Sequence, residues 1–175
     1  MNQESMEQNV KKPIYKIWWF WAIVVIGIVL AISLFDGGDA VQDDLLDYVN
    51  KDCVEMIELD TEVRNLYEKA RNSSNDYTMY TILVNEVIPE SQKLLDEAEG
   101  LEINTKEVKS VHELYIDSIN KQHQAFTLML AALEDQDYVL ITQANEKLDE
   151  SRKLMRDYET ALKGLAKEYN IKLTN

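Results

Sequence analysis

The sequence has little of almost everything that breaks or staples a chain. It holds one cysteine, Cys53, so no internal disulfide can form. Two prolines and five glycines serve 175 residues, and so few breakers favour long helices over strands and turns. Histidine is equally scarce, with His112 and His123 alone. On one helix these two would stand about 16 Å apart along the axis, too far to share a metal. No Glu-x-x-His pair occurs either, since Lys109 and Asn120 occupy the positions three residues before each histidine. A Gly-rich phosphate loop, a nucleophile elbow and a paired-cysteine metal site are also missing. The expectation is a non-enzymatic chain with no catalytic residue, cofactor or metal.

Positive charge is the next scarcity. Lys and Arg total 18 against 32 Asp and Glu, for a formal net charge of −14. The first 35 residues carry three Lys and two Glu, leaving 15 basic and 30 acidic residues, or −15, for the rest. Such a domain disfavours nucleic acid, which needs a basic footprint, and stays off anionic lipid surfaces. Colloidal repulsion and recognition of a basic partner are both consistent with this charge.

One stretch lacks charge altogether. Residues 17–35, IWWFWAIVVIGIVLAISLF, contain none of Asp, Glu, Lys or Arg. As a helix this run is about 28 Å long, which matches a bilayer core. Lys11, Lys12 and Lys16 flank it on one side, and Asp36, Asp39, Asp43, Asp44 and Asp47 follow on the other. Positive residues stay cytoplasmic, so the expected topology has 1–16 as a cytoplasmic tail, 17–35 as a single plasma-membrane span contacting lipid, and 36–39 as a short joint. Residues 40–175 then form an extracytoplasmic domain. Trp18, Trp19 and Trp21 should set the depth of the span, because their amphipathic rings favour the headgroup level. A cleaved signal peptide is the rival, but the apolar run is long for one and no A-x-A precedes Asp36.

Beyond the joint, apolar residues recur every three or four positions, the signature of helix. A first helix starts at Asp39, with Gln42 completing a capping box, and its stripe runs from Val41 to Ala70. The polar turn at 71–75 ends it. A second helix starts near Asp76 and stops at Gly100, with Pro89 expected to kink or break it near 85–89. Asn104 and Glu107 form a second capping box for a third helix, and Glu134 to Asp137 connect to a fourth whose stripe runs from Ile141 to Tyr169. Four helices of this kind with short connections pack as an antiparallel up-down bundle, so the expected fold is all-α. A dimeric coiled coil is the alternative, and three turn signals stand against it.

Some side chains invite a second reading. Ser118, Gln122, His123, Asn145 and Ser151 fall on or beside the apolar stripes and form a candidate polar layer, which would fix helix register or line a small polar pocket. Cys53 sits in a helical pattern, either as a small buried residue or as a reactive thiol. Eight tyrosines follow residue 35, either at the core edge or in a partner-binding patch.

The opening KKPIYKIWWFWAIVVIGIVL resembles the anchors of small surface proteins from Gram-positive bacteria of the Bacillus and Listeria kind. VHELYIDSINKQHQAFTLMLAALEDQD, with the Val87-Ile88-Pro89 step, is similar to uncharacterised helical domains of such proteins. The resemblance implies an exported helical domain on a single-pass anchor, but no activity and no functional residue. It also implies a bacterial source, in which the Asn72-Ser73-Ser74 acceptor pattern would go unglycosylated. The functional expectation is a membrane-tethered module that binds a protein or envelope partner. The alternatives are a bundle that senses a small ligand and an immunity-type protein.

The topology is directly testable. In a Cys53→Ala background, a cysteine introduced near Asn72 should react with a membrane-impermeant maleimide on intact cells. Labelling that needs lysis would place the domain inside.

Overall fold

The structure, a computed structural model, describes residues 39–173. The expected tail with Lys11, Lys12 and Lys16, the expected span with Trp18, Trp19 and Trp21, and the joint before Asp39 lie outside the described residues. Among the described residues no helix is long and apolar enough to cross a membrane.

The described chain is all-helical. Helix α1 runs from Ala40–Asp47 through the wider π-turn Tyr48–Asp52 into Cys53–Arg71. Helix α2 has the same build: Asp76–Ile82, the π-turn Leu83–Val87, then Ile88–Glu99. Helices α3, Lys106–Asp135, and α4, Tyr138–Glu168, are uninterrupted.

Both π-turns have a readable cause. In α1 the buried face holds Tyr48, Val49 and Cys53, and it must carry both Tyr48 and Cys53, five residues apart. The extra residue of a π-turn brings these two closer to one line on the helix than an α-turn would. Cys53 N–H accordingly bonds the Tyr48 carbonyl five residues back. In α2 the π-turn ends two residues before Pro89. Proline offers no N–H, and its ring crowds the carbonyl four residues earlier. Ile88 N–H instead reaches the Leu83 carbonyl, and the widened turn absorbs the ring. The kink or break expected at 85–89 is therefore a local widening, and α2 continues through it.

Capping also differs from expectation in two places. Asp39 caps α1 by accepting from Val41 N–H at 2.9 Å, but Gln42 does not close a box. Its amide donates 3.1 Å to the Tyr169 carbonyl at the end of α4. The Asn104–Glu107 box is replaced by a long-range cap. Asp44 of α1 accepts from Asn104 N–H and Nδ2 through one oxygen, at 3.2 and 3.1 Å. Its other oxygen accepts from Thr105 N–H at 2.9 Å and Thr105 Oγ1 at 2.6 Å. One carboxylate thus satisfies two backbone donors ahead of α3 and ties α3 to α1.

These contacts define one pole, the Asp44 pole, where α1 and α3 begin and α4 ends. The end of α2 joins them, since the Ala98 carbonyl lies 2.8 Å from His112 of α3. Ile171 folds back here into the core, its N–H bonding the Ala166 carbonyl at 2.7 Å. The opposite pole, the Tyr138 pole, gathers the end of α1, the start of α2, the end of α3 and the start of α4. There Tyr80 of α2 donates 3.0 Å to Glu134 of α3, and Lys69 of α1 meets Glu86 of α2 at 2.6 Å. Between the poles the core is filled by large side chains such as Tyr48, Phe126, Leu45, Leu83 and Leu94, all essentially inaccessible. Each contributes about 1.5–3 kcal/mol by leaving water.

Burial alone would raise the Asp44 pKa, but the bonds from Thr105 and Asn104 outweigh it and hold the carboxyl below its usual 3.8. Its contribution is therefore complete above pH 3.8 and is lost as pH falls through the lower folded value. Asp44→Ala should cost about 2–3 kcal/mol in urea unfolding at neutral pH, with a smaller loss for Asp44→Asn.

Candidate functional site

Two features stand out from the helical frame: a buried chain of polar side chains, and an exposed aromatic pole.

The buried chain lies near the Asp44 pole and links all four helices. His112 Nε2 is 2.8 Å from the Ala98 carbonyl of α2. A carbonyl only accepts, so Nε2 carries the proton. The other ring nitrogen, Nδ1, is 3.0 Å from the Tyr48 hydroxyl of α1. Tyr48 and Tyr158 of α4 place their hydroxyls 3.2 Å apart, and Cys53 Sγ is 3.5 Å from the Tyr158 hydroxyl. Tyr48 donates to Tyr158, Nε2–H donates to Ala98, and either Cys53 or Tyr158 can be the donor in their contact.

Burial decides the charge states. It lowers the His112 pKa below 6.5, against the opposing effects of the Ala98 carbonyl, Asp52 and Glu113. It pushes the Tyr48 and Tyr158 phenols well up and the Cys53 thiol up to about 11. The Cys53 thiol therefore stays protonated, which makes it a poor nucleophile. Tyr115 completes the packing: its ring stacks on His112 with centroids 6.1 Å apart and tilts against Tyr158 at 5.4 Å. Its hydroxyl is buried and finds no hydrogen-bond partner among the described residues. The cluster's chemistry is that of a neutral lock between helices.

The candidate polar layer resolves into two separate pairs. Ser118 of α3 donates 2.9 Å to the Ser151 carbonyl of α4, with the two hydroxyls 3.2 Å apart. His123 Nδ1 of α3 lies 2.8 Å from the Ser91 hydroxyl of α2, which is also 3.0 Å from the Ile88 carbonyl. Gln122 is buried and Asn145 half-buried, and neither joins these pairs. Both histidines are thus engaged inside the helical frame. Among the described residues no three His, Cys, Asp or Glu side chains are grouped to hold a metal.

Sequence reasoning missed the buried chain. Tyr48, Cys53 and Tyr158 all stood on apolar stripes while carrying polar tips. That combination is the signal that was available, but their common partner His112 could be found only in three dimensions.

Besides a groove of about 550 Å³ beside Lys163, Lys167 and Lys172, two surface areas differ in character. Near the Asp44 pole, a groove of about 310 Å³ is lined by Asp52, Glu55, Glu58, Glu62 and Glu97, over Met56, Leu59 and Leu101. At the Tyr138 pole, Tyr77 is 79% exposed, Tyr138 87% and Val139 62%. These are the large hydrophobic side chains that the described residues leave in water. All three lie in the first turns of α2 and α4.

No protein-family model matches the chain, and neither a curated protein nor a solved structure is significantly similar to it.

The buried imidazole makes stability depend on pH. Its folded pKa lies below the 6.5 of an exposed histidine, so on acidification the unfolded chain takes the proton first. Stability should be complete above pH 6.5 and fall as pH drops below it. His123 is shifted in the same direction by burial. Thermal unfolding between pH 7.5 and 5.5 should show a declining midpoint, and His112→Gln should flatten the decline while His123 keeps part of it.

Proposed function

We propose that this chain is a membrane-tethered interaction module. Residues 17–35 hold it in the plasma membrane, with 1–16 inside. Residues 40–175 form an antiparallel up-down four-helix bundle on the outer face. The bundle binds a protein or envelope partner and performs no chemistry on it.

The single observation that carries this reading is the exposed aromatic pole. A folded domain normally covers large apolar rings, and clusters left in water mark interaction surfaces. Tyr is enriched at such surfaces because it offers a rigid apolar ring with a polar tip. Position strengthens the argument. The chain enters the helical domain at Asp39, on the Asp44 pole. An anchor before Asp39 would leave Tyr77, Tyr138 and Val139 at the end of the domain farthest from the bilayer. Helix α4, at 31 residues, is about 46 Å long, enough to carry that end clear of the headgroups.

A small-ligand sensor is supported less well. Its pocket would have to lie between the helices, where Tyr48, His112, Tyr115 and Tyr158 pack against one another.

A photo-crosslinking amino acid placed at Tyr77 or Tyr138 of the full chain in living cells should capture a discrete partner. The same amino acid at the exposed Lys153, midway along α4, should capture little. Equal capture at all three positions, or capture at none, would remove the interaction reading.

A further inference from the structure

The exposed aromatic pole has an unusual charge. Residues 72–92 and 122–146, which build most of it, contain no Lys or Arg. Arg71, Lys93, Lys121 and Lys147 are the cations that border these segments, and Lys69 at the end of α1 is held by both oxygens of Glu86, at 2.8 and 2.6 Å. Around the exposed rings stand Asp76, Glu134, Asp135 and Asp137, all exposed.

Two of these acids have a local structural use. Asp76 lies in the first turn of α2, and Asp137 caps α4 by accepting from Val139 N–H at 2.8 Å. Both sit at helix N-termini, where negative charge is favourable. Glu134 and Asp135 have no such justification. They close α3, whose last turn holds no basic residue, and a helix C-terminus disfavours negative charge. Glu134 does accept from the Tyr80 hydroxyl, but a neutral donor leaves the carboxylate charge in place. The fold thus tolerates unfavourable charge beside tyrosines it leaves exposed.

We infer that the partner recognised at the Tyr138 pole is a basic, Lys- or Arg-rich protein surface, whose cations seat on the faces of Tyr77 and Tyr138 and among Glu134, Asp135 and Asp137. This rests on the interaction-module reading and adds the partner's chemistry to it. Tyrosine rings attract cations through their negative faces, and nearby carboxylates add directly to that attraction. A guanidinium satisfies both at once, because it stacks on a ring while its edge bonds a carboxylate. Complementary charge of this kind also speeds encounter and rejects acidic competitors.

The test uses the full chain in neutral detergent and two fluorescent peptides, one of Arg and Gly and one of Glu and Gly. The Arg–Gly peptide should bind and the Glu–Gly peptide should not. Tyr77→Ala with Tyr138→Ala should weaken binding about fivefold or more. Glu134→Gln with Asp135→Asn and Asp137→Asn should weaken it at least as much, with circular dichroism confirming intact helix; Asn at 137 still caps α4. Neutralising the groove carboxylates Glu55, Glu58 and Glu62 to Gln is the control for diffuse charge. If the control weakens binding as much as the pole variants, attraction is general and the inference falls. If the Arg–Gly peptide fails to bind while crosslinks from Tyr138 persist in cells, the partner is not basic: the inference falls and the interaction reading stands. Loss of the crosslinks as well removes both.

Discussion

The structure depends most on one hydrogen-bond chain that draws a member from every helix. Ala98 of α2, His112 of α3, Tyr48 and Cys53 of α1 and Tyr158 of α4 meet within the core near one pole. Apolar contacts alone tolerate a helix that slides or rotates, because one methyl group replaces another. A buried imidazole with two fixed partners does not. Shifting any helix would leave a buried donor or acceptor unpaired, at about 1–3 kcal/mol for each. The chain therefore acts on register more than on net stability. The π-turn in α1 brings Tyr48 and Cys53 toward one side of the helix, where both reach Tyr158.

Charge imposes the second constraint. A domain of −15 repels itself, and its helix ends show how that is managed. Asp44 turns a buried carboxylate into the cap of α3. Asp39, Asp76 and Asp137 occupy helix starts, where their charge is useful. The acids that find no such place are informative. Glu134 and Asp135 close α3 against its dipole, beside the aromatic rings the fold leaves in water. Unfavourable charge and exposed apolar surface thus coincide at the Tyr138 pole, and that coincidence gives the pole its functional interest.

The helical class was legible because apolar residues recur at three and four along most of the described chain. The connections were legible too, in the polar run at 71–75, in Gly100 and in 134–137. The helix ends were less so. Gln42 and Asn104 stand at the right spacing for local capping boxes, yet both are drawn to partners elsewhere in the fold, Tyr169 and Asp44. Pro89 was visible as an irregularity, but its resolution as a widened turn shows only in the Ile88 N–H to Leu83 carbonyl bond. The polar positions were the hardest to read. Ser118 and Ser151 meet across 33 residues of sequence, whereas His123, from the same stripe, bonds Ser91 instead.

By itself the sequence determined an all-helical chain, an uncharged run at 17–35 and a strongly acidic remainder, because periodicity and charge are properties of spacing and composition. Only the tertiary structure decided which tyrosines serve the core and which face water. Tyr48 and Tyr158 are buried and bonded, while Tyr77 and Tyr138 are exposed, although all four are the same residue on helices of the same kind. What separates them is which face of each helix meets a neighbour. That is settled by how the four helices pack together, and no window of sequence contains it.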